Sequence, residues 1–573
     1  MEINYKQMKS ALWYLLVLMF LFSCSDDKSE QENLLISNTE LFFPQSGGSQ
    51  DCMIQSNVVW HLEDIPQWLT VSAVSGDAGK TTRITITALP NTTDGERSTS
   101  LNVKAGTRSE TITVGQLLTL ALDQTSYTAK PEGEVIMLAL RANGADYAVT
   151  VSDNWIERTT VSGKALADYK ETFTIAPNYT GSERNGSIFV KLNDTEYTVT
   201  VSQPSVTAIA PDKSGMEMDA MALAFDIPVG WNLGNSLEAT GGETGWGNPK
   251  TTALMIQKVK AAGFQAVRIP CAWNQYLENN AANQIKASWI ARVKEVVDYC
   301  IANELYAILN IHWDGGWLEN QIPDGYSEEV DAKQHAFWTQ IALAFRDYGQ
   351  RLLFAGCNEP NVSNAAEMAT LLRYEQTFID AVRATGGRNA YRNLIVPGPS
   401  TNIDKTVDWM QLVTDPTPDR LMVEVHYYDP WQFCGQESDD QWNKMTYFWG
   451  EPYRQYATGE YANRWNDWAN ESYLKKQFEK MKTTFVDKGV PVILGEYGAM
   501  RRDLGDAAMT AAHDASRAYY LGEVTRQAKA HGLVPFVWDA GNSMSLFKRP
   551  EMTVADEQSY QAIMKGADTA YPQ

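Results

Sequence analysis

The stretch Leu352-Leu353-Phe354-Ala355-Gly356-Cys357-Asn358-Glu359-Pro360 is an apolar run that stops abruptly at Asn-Glu-Pro. Large apolar side chains at successive positions fit a strand covered on both faces, as in a parallel sheet. Pro360 has no N–H to give to a ladder and ends the strand. Glu359 is thereby left at a strand's C-terminal end, beside an amide. A second such place follows downstream, where Pro491-Val492-Ile493-Leu494-Gly495-Glu496-Tyr497-Gly498 leaves Glu496. Two carboxylates at two strand ends suit the hydrolysis of a glycosidic bond. One protonates the leaving oxygen, and the other attacks the anomeric carbon or activates water.

Working outward, these two runs belong to a set of eight: Val229–Asn235, Ala266–Pro270, Tyr306–His312, Leu352–Glu359, Asn393–Gly398, Leu421–Tyr428, Pro491–Gly498 and Leu533–Gly541. Amphipathic segments lie between them. Thr252–Ala262 carries Leu254, Met255, Val259 and Ala262 on one face; Ser288–Asn303 carries Ile290, Val293, Val296, Val297 and Cys300. Eight strand–helix units over roughly 345 residues predict a (β/α)8 TIM barrel with polar residues at the C-terminal strand ends. A connector at 204–224 with a short helix, Met216–Ala224, precedes it. The sixth strand–helix connection, Asp429–Ser472, is too long for a bare loop and holds Trp431, Trp442, Trp449, Trp465 and Trp468. Long loops on the active face shape clefts, and flat aromatic faces suit the apolar C–H surfaces of pyranose rings. One to three of these aromatics are expected to touch sugar, Trp431 first; the rest are core of the excursion.

Residues 34–203 read differently, as alternating strands separated by turn clusters such as Ser46-Gly47-Gly48. Trp68, Asn91, Arg97 and Gln116 recur as Trp155, Asn178, Arg184 and Gln203, each 87 positions on (155 − 68, 178 − 91, 184 − 97, 203 − 116). Four coincidences at one offset mean a duplication, and each copy suits an all-β immunoglobulin-like sandwich. The expected organisation is therefore multidomain: sandwiches at 34–117 and 118–204, and a barrel domain at 205–573. Trp68 and Trp155 are taken as core residues and the sandwiches as spacers, with glycan binding as the alternative.

The first 24 residues form an export signal. Lys6 and Lys9 precede an apolar core, Ala11–Phe22, too short for a membrane span. Leu21-Phe22-Ser23-Cys24 resembles a bacterial lipobox, which makes Cys24 the lipidated residue, with a secretory signal as the alternative. The acidic tether at 25–33 resembles the segment that follows the lipidated Cys in surface lipoproteins of Bacteroidetes. That address implies a cell-surface, outer-membrane lipoprotein, with a periplasm-facing anchor as the alternative. A balance of 48 Lys+Arg against 70 Asp+Glu, net −22, argues against nucleic acid as a partner. The five remaining cysteines are scattered and imply buried free thiols rather than a disulfide framework. The six histidines show no metal-ligand spacing, and neither metal nor organic cofactor is expected.

Read in order, the strand ends are Trp231-Asn232-Leu233-Gly234-Asn235, Arg268, His312, Asn358-Glu359, His426 with Tyr428, Glu496 and Trp538. With Trp-Gly-Asn-Pro at 246–249, Val-Arg-Ile-Pro at 267–270 and Gly-Glu-Tyr-Gly at 495–498, this set resembles glycoside hydrolase family 5 over about residues 215–570. The two repeats resemble BACON domains, the second more loosely. The family resemblance implies a retaining enzyme with Glu359 as acid/base and Glu496 as nucleophile. Arg268 and Tyr428 would hold the nucleophile and Asn358 the sugar's 2-hydroxyl. His312, His426 and Trp538 would line the same subsite, with Asn235 and Trp431 in support. The acid should have a raised pKa, and the nucleophile needs a cation or hydrogen bonds to stay ionised. Three positions depart from the family pattern: Trp313, Ala355 and Ala540.

Within the family the phrases resemble endo-β-1,4-glucanases acting on cellulose, mixed-linkage glucan or xyloglucan. The implied partner is a plant β-glucan and the implied state a monomer. A mannan-type glycosidase of the same fold and a non-catalytic glycan-binding protein are the alternatives. Double displacement requires the carboxyls of Glu359 and Glu496 to face each other roughly 5 Å apart.

Overall fold

Strands buried on both faces need a second layer of protein on each side, and a closed barrel wrapped in helices supplies both. The computed structural model describes residues 31–572, apart from 93–95, 117–119, 143–146, 163–167 and 193–194. Cys24 and most of the tether lie outside the described residues. Eight parallel strands close into a barrel: β1 (Gly230–Asn232), β2 (Ala266–Ile269), β3 (Tyr306–Asn310), β4 (Leu352–Ala355), β5 (Leu394–Pro397), β6 (Leu421–Tyr427), β7 (Val492–Tyr497) and β8 (Leu533–Val537). β8 pairs back to β1.

Alternation divides each strand between two cores. Ala266, Ile308, Leu353, Ala355, Ile395, Met422, Ile493 and Val534 form one cluster inside the barrel. Their neighbours Val267, Leu309, Phe354, Val396, Val423 and Leu494 pack outward under the helices. A helix at Ala220–Phe225 adds Leu223 and Ala224 to the inner cluster. It closes the end where the strands begin, since Arg420 and Asn393 both donate to the Met218 carbonyl just before it. This helix starts at Ala220, later than the expected Met216, because Asp219 caps it by accepting the Ala222 N–H at 2.8 Å.

The helix expected from Thr252 runs Ala253–Ala261, capped by Thr252. Its buried face is Met255, Ile256 and Val259; Leu254, expected to be inward, is 56% exposed. The stripe is centred one residue further on than the sequence suggested. Cys52, Cys271, Cys300, Cys357 and Cys434 are buried free thiols, as expected. No helix among the described residues is long and apolar enough to cross a membrane.

The N-terminal strands form two modules, each of two sheets around one core. In the first, Leu34–Ile36, Gly48–Ser56, Thr81–Ala88 and Leu69–Val71 face a sheet whose order runs Glu40–Phe43, Arg108–Gln116, Arg97–Ala105, Trp60–Glu63 and Ser75–Gly76. The second repeats the order, with Leu120–Leu122, Glu134–Ala142, Asp168–Ile175 and Ile156–Ser162 opposite Ser126–Thr128, Thr195–Gln203, Arg184–Leu192 and Ala148–Val151.

Three of the four residues that repeat at 87 make the same knot twice. Arg97 Nε donates to Gln116 Oε1 and Arg184 Nε to Gln203 Oε1, both at 2.8 Å. Each guanidinium lies over a tryptophan ring, Arg97 on Trp68 at 4.6 Å and Arg184 on Trp155 at 4.3 Å. Each glutamine amide donates to carbonyls of two separate turns: Gln116 to Pro44 and Leu89, Gln203 to Lys130 and Ala176. The guanidinium covers one face of each tryptophan, and Trp155 is only 3% exposed. This supports the core reading of both rings.

Removing one glutamine strands several buried carbonyls and an arginine donor at once. Gln116→Ala is expected to destabilise the first module by about 1–3 kcal/mol and to leave the barrel's transition and its activity unchanged. Calorimetry of the full chain, followed by an activity assay, checks both.

Candidate active site

The site is built on one buried cation. Arg268, at the end of β2, is fully buried; both terminal nitrogens donate hydrogen bonds, and Nε is held by an ion pair. Nη1 donates to Glu496 Oε1 at 2.8 Å and to Asn232 Oδ1 at 3.0 Å, and Nη2 donates to Asn358 Oδ1 at 2.8 Å. Nε lies 2.9 Å from Glu424 Oε1. A planar fork of five donors can hold four partners from β1, β4, β6 and β7 in fixed relation, which a lysine could not.

Glu496 is turned into this site by an irregularity. Along β7, Ile493 faces inward and Leu494 outward, so regular alternation would turn Gly495 in and Glu496 out. The pairing with β6 slips here, from Val425↔Leu494 to His426↔Glu496, leaving Gly495 as an extra residue. Bulges re-aim side chains in this way. Gly495 also has to be glycine, because a Cβ there would lie 2.0 Å from Glu424 Oε1.

Each oxygen of Glu496 is held, Oε1 by Arg268 and Oε2 by the Tyr428 hydroxyl at 3.0 Å. Glu359 is the accessible member of the pair. Its side chain is 47% exposed at the cleft floor, against 7% for Glu496. Its Oε1 meets His426 Nδ1 at 2.7 Å and the Thr401 hydroxyl at 3.5 Å. One oxygen of Glu359, one of Glu496 and a ring nitrogen of His426 all lie within 4.8 Å of one another. The two carboxylates therefore face each other at the spacing that double displacement uses, well short of the gap an inverting pair leaves for water.

The backbone around Glu359 is also held. Its N–H donates to Glu319 Oε1 at 2.9 Å. Thr401 and Ser400 sit in the left-handed region (φ 45° and 51°), a conformation that costs a β-branched residue roughly 1–3 kcal/mol and that brings the Thr401 hydroxyl to the carboxylate.

The charges are coupled. Burial disfavours an imidazolium at His426, but Glu496, Glu359 and Glu424 outweigh it and raise His426 to about 10. Burial opposes ionisation of Glu424, but Arg268 and His426 outweigh it and lower its pKa. For Glu359, too, burial is outweighed by the His426 hydrogen bond and charge, and the carboxyl is lowered. Glu496 is raised by burial and by Glu359's charge, against the pull of His426 and Arg268. The direction at Glu359 reverses the expectation drawn from the sequence, whereas Glu496 has the cation and the hydrogen bond expected of it. With His426 raised and Glu359 lowered, the balance between the two favours the proton on the imidazole. His312 is kept neutral by burial and by the positive charges of Arg268 and His426. The convergence of Glu359, His426 and Glu496 is of a kind a cation could use, but a protonated His426 has no lone pair to offer and Arg268 already supplies the countercharge.

The supporting residues fall around this centre. His312 stacks parallel to Trp538, with ring centroids 6.0 Å apart. Trp538 and Asn235 line an open cavity of about 470 Å³, and Trp431 stands between it and a second cavity of about 190 Å³ lined by Glu359, Thr401, Asp404 and Gln477. Asn235 is positioned from the Trp-Gly-Asn-Pro segment: Asn248 Nδ2 donates to its carbonyl at 2.9 Å and to that of Ala540 at 2.9 Å. Within the long excursion Phe433, Phe448 and Trp449 are buried, whereas Trp431, Trp442 and Trp468 are exposed.

Sequence reading missed Glu424, Glu319 and Thr401. Only Glu424 left a signal, as a single acidic residue in the apolar run of β6 at the same parity as His426. Glu319 and Thr401 reach Glu359 from 40 and 42 positions away.

A parallel eight-stranded barrel with two glutamates facing each other over its C-terminal strand ends has the arrangement of a retaining glycosidase. The chain belongs to glycosyl hydrolase family 5: the family's cellulase model matches residues 232–544, and the BACON N-terminal domain model matches residues 59–117 and 145–204. The chain is 35% identical over 448 residues to a xyloglucan-specific endo-beta-1,4-glucanase of Bacteroides ovatus, covering 74% of this chain and 86% of that one. It is 36% identical over 379 residues to endoglucanase A of Paenibacillus barcinonensis, covering 61% and 90%. Among solved structures, a Bacteroides ovatus family 5 xyloglucanase in complex with a XXXG heptasaccharide aligns at 30% identity and TM-score 0.58, over 78% of this chain and 100% of that one. A xyloglucan-specific β-1,4-glucanase from a ruminal metagenomic library, in complex with XXLG, aligns at 39% identity and TM-score 0.56, over 62% and 98%.

Gly495→Ala is expected to push Glu424 off Arg268, and with it the Glu496 anchor. The loss of kcat/KM should be about 100-fold or more, which corresponds to about 3 kcal/mol of transition-state stabilisation, with near-native circular dichroism. Steady-state kinetics on a soluble β-glucan checks it.

Proposed function

We propose that this glycosyl hydrolase cleaves the β-1,4-glucan backbone of xyloglucan, with Glu496 as nucleophile and Glu359 as acid/base. The observation that carries the roles is the facing pair of carboxylates, one pinned and one accessible. Glu496, with both oxygens held, attacks the anomeric carbon while Glu359 gives a proton to the departing glycosidic oxygen. The resulting glycosyl-enzyme is opened by a water that Glu359 deprotonates, so configuration is retained. Asn358 accepts from Arg268 through its oxygen, which leaves its NH2 group as the donor for the sugar's 2-hydroxyl. The neutral His312 and the Trp538 face flank the same ring.

The choice of xyloglucan is supported by the xyloglucan-specific relatives and by the two open cavities either side of Trp431, which give a branched backbone lateral room. The order of strands also supports immunoglobulin-like sandwiches in both N-terminal modules. Leaving aside the strand that runs parallel to the last one and, in the first module, the two-residue Ser75–Gly76, the first, second, fifth and fourth strands make one sheet, and the parallel strand edges the other. We further propose that these modules space the barrel from the outer membrane, with Cys24 as the lipid anchor.

Glu496→Gln should lower kcat on xyloglucan by about 10⁴-fold or more. Glu359→Gln should lower it by about 10²–10⁴-fold, but far less on an aryl glycoside whose leaving group needs no proton. Equal losses on both substrates would overturn the acid assignment. Release of reducing ends from mannan but not from xyloglucan would overturn the substrate. Cys24→Ala should move the protein from the membrane to the soluble fraction of cells.

A further inference from the structure

Glu424 takes no direct part in the scheme above, yet it is fully buried, and its Oε1 is placed between the site's two cations. That oxygen lies 2.9 Å from Arg268 Nε and 3.2 Å from His426 Nε2. Its other oxygen, Oε2, has no hydrogen-bond partner among the described residues. The room it occupies exists because residue 495 lacks a Cβ. A buried carboxylate with one unsatisfied oxygen is costly to keep, and its cost has a counterpart in what it does to the imidazole.

An ionised carboxylate can only accept, so the His426 nitrogen that faces Glu424 must carry a hydrogen. The other nitrogen, Nδ1, faces Glu359 Oε1 at 2.7 Å. We propose that Glu424 is a positioning residue for the acid step: by holding the hydrogen on His426 Nε2, it leaves Nδ1 and Glu359 to share a single proton between them. The inference rests on the reading of Glu359 as general acid.

In the resting site the proton is on Nδ1. When it moves to Glu359 the N–H bond breaks, an O–H bond forms, and His426 is left neutral with its hydrogen on Nε2. A turn of the carboxyl about Cγ–Cδ, a soft torsion, exchanges its oxygens and presents the proton to the leaving oxygen. Were the hydrogen of a neutral His426 on Nδ1 instead, it would donate to Glu359 and oppose protonation. The other groups facing this pair are Arg268 on β2, His312 after β3, Glu319 on the following turn, Tyr428 after β6 and Glu496 on β7. Among the described residues it is Glu424 that meets Nε2, at 3.2 Å.

Glu424→Gln keeps an oxygen that can accept from Nε2 and removes the charge. A buried negative charge favours the protonated state of the Glu359–His426 pair, so its loss should make the proton leave at lower pH. The basic limb of the kcat/KM–pH profile on xyloglucan should therefore move down by about one unit or more, a tenfold or greater change in proton affinity. A uniform loss of kcat at every pH with the limb unmoved would mean that Glu424 only fills space, and would overturn the proposal. Glu359→Gln is profiled alongside. Full turnover there would sink the acid assignment itself, whereas an inactive Glu359→Gln with an unmoved limb in Glu424→Gln sinks this inference alone. Should Glu424→Gln not fold, nitrogen-15 spectra of the wild-type imidazoles decide. Nε2 of His426 is expected to stay protonated through the basic limb while Nδ1 titrates, and a neutral form protonated at Nδ1 overturns the inference.

Discussion

A guanidinium with no exposed surface, Arg268, is the constraint on which the rest of the barrel's active face depends. Burying a cation is tolerable only with partners in good geometry, and removing one partner of such a pair typically costs about 3–5 kcal/mol. Here the partners come from four strands, so the same contacts that make the charge tolerable also set the spacing of Asn232, Asn358, Glu424 and Glu496. The precision of the site is thus a by-product of solvating one buried ion. The apolar layer inside the barrel, ending at residues such as Ala355 and Ile493, excludes the water that would otherwise do the solvating.

The irregular positions serve that arrangement. The slip at Gly495 turns Glu496 inward and makes space for Glu424; the left-handed Ser400–Thr401 pair carries a hydroxyl to Glu359. Neither would stabilise the fold by itself. Each spends some local regularity to place a polar group where charges meet, which is how strained backbone is generally distributed in enzymes.

The N-terminal modules follow a different logic. They are small, and each fastens its turns to its last strand through one glutamine, one arginine and one tryptophan. The second is also joined to the barrel domain. The connector that follows it is pinned to the barrel where Arg346 donates to the Thr207 carbonyl and Ile209 pairs with Gly386, and burial of Glu278, on the hairpin after β2, is partly offset by Arg184 of the second module. The tryptophan that might have served as a sugar platform is instead covered by the arginine that takes part in this contact.

Much of this was legible in the linear chain. Eight apolar runs, most with polar residues at or near their ends, the motif glutamates at two of those ends, and a fourfold coincidence at one offset are all properties of residue order. They follow from local rules: period two for strands, a proline that ends a ladder, and duplication that preserves spacing. What the order of residues could not decide was which groups share charge. Glu424 reads as a blemish in a strand until β2 and β6 bring Arg268 and His426 to it. Glu319 and Thr401 have no local pattern at all. How the proton is divided between His426 and Glu359 depends on five ionisable groups from four strands converging at one end of the barrel. Electrostatic energy there is set by distances through space, and those distances exist only once the barrel has closed.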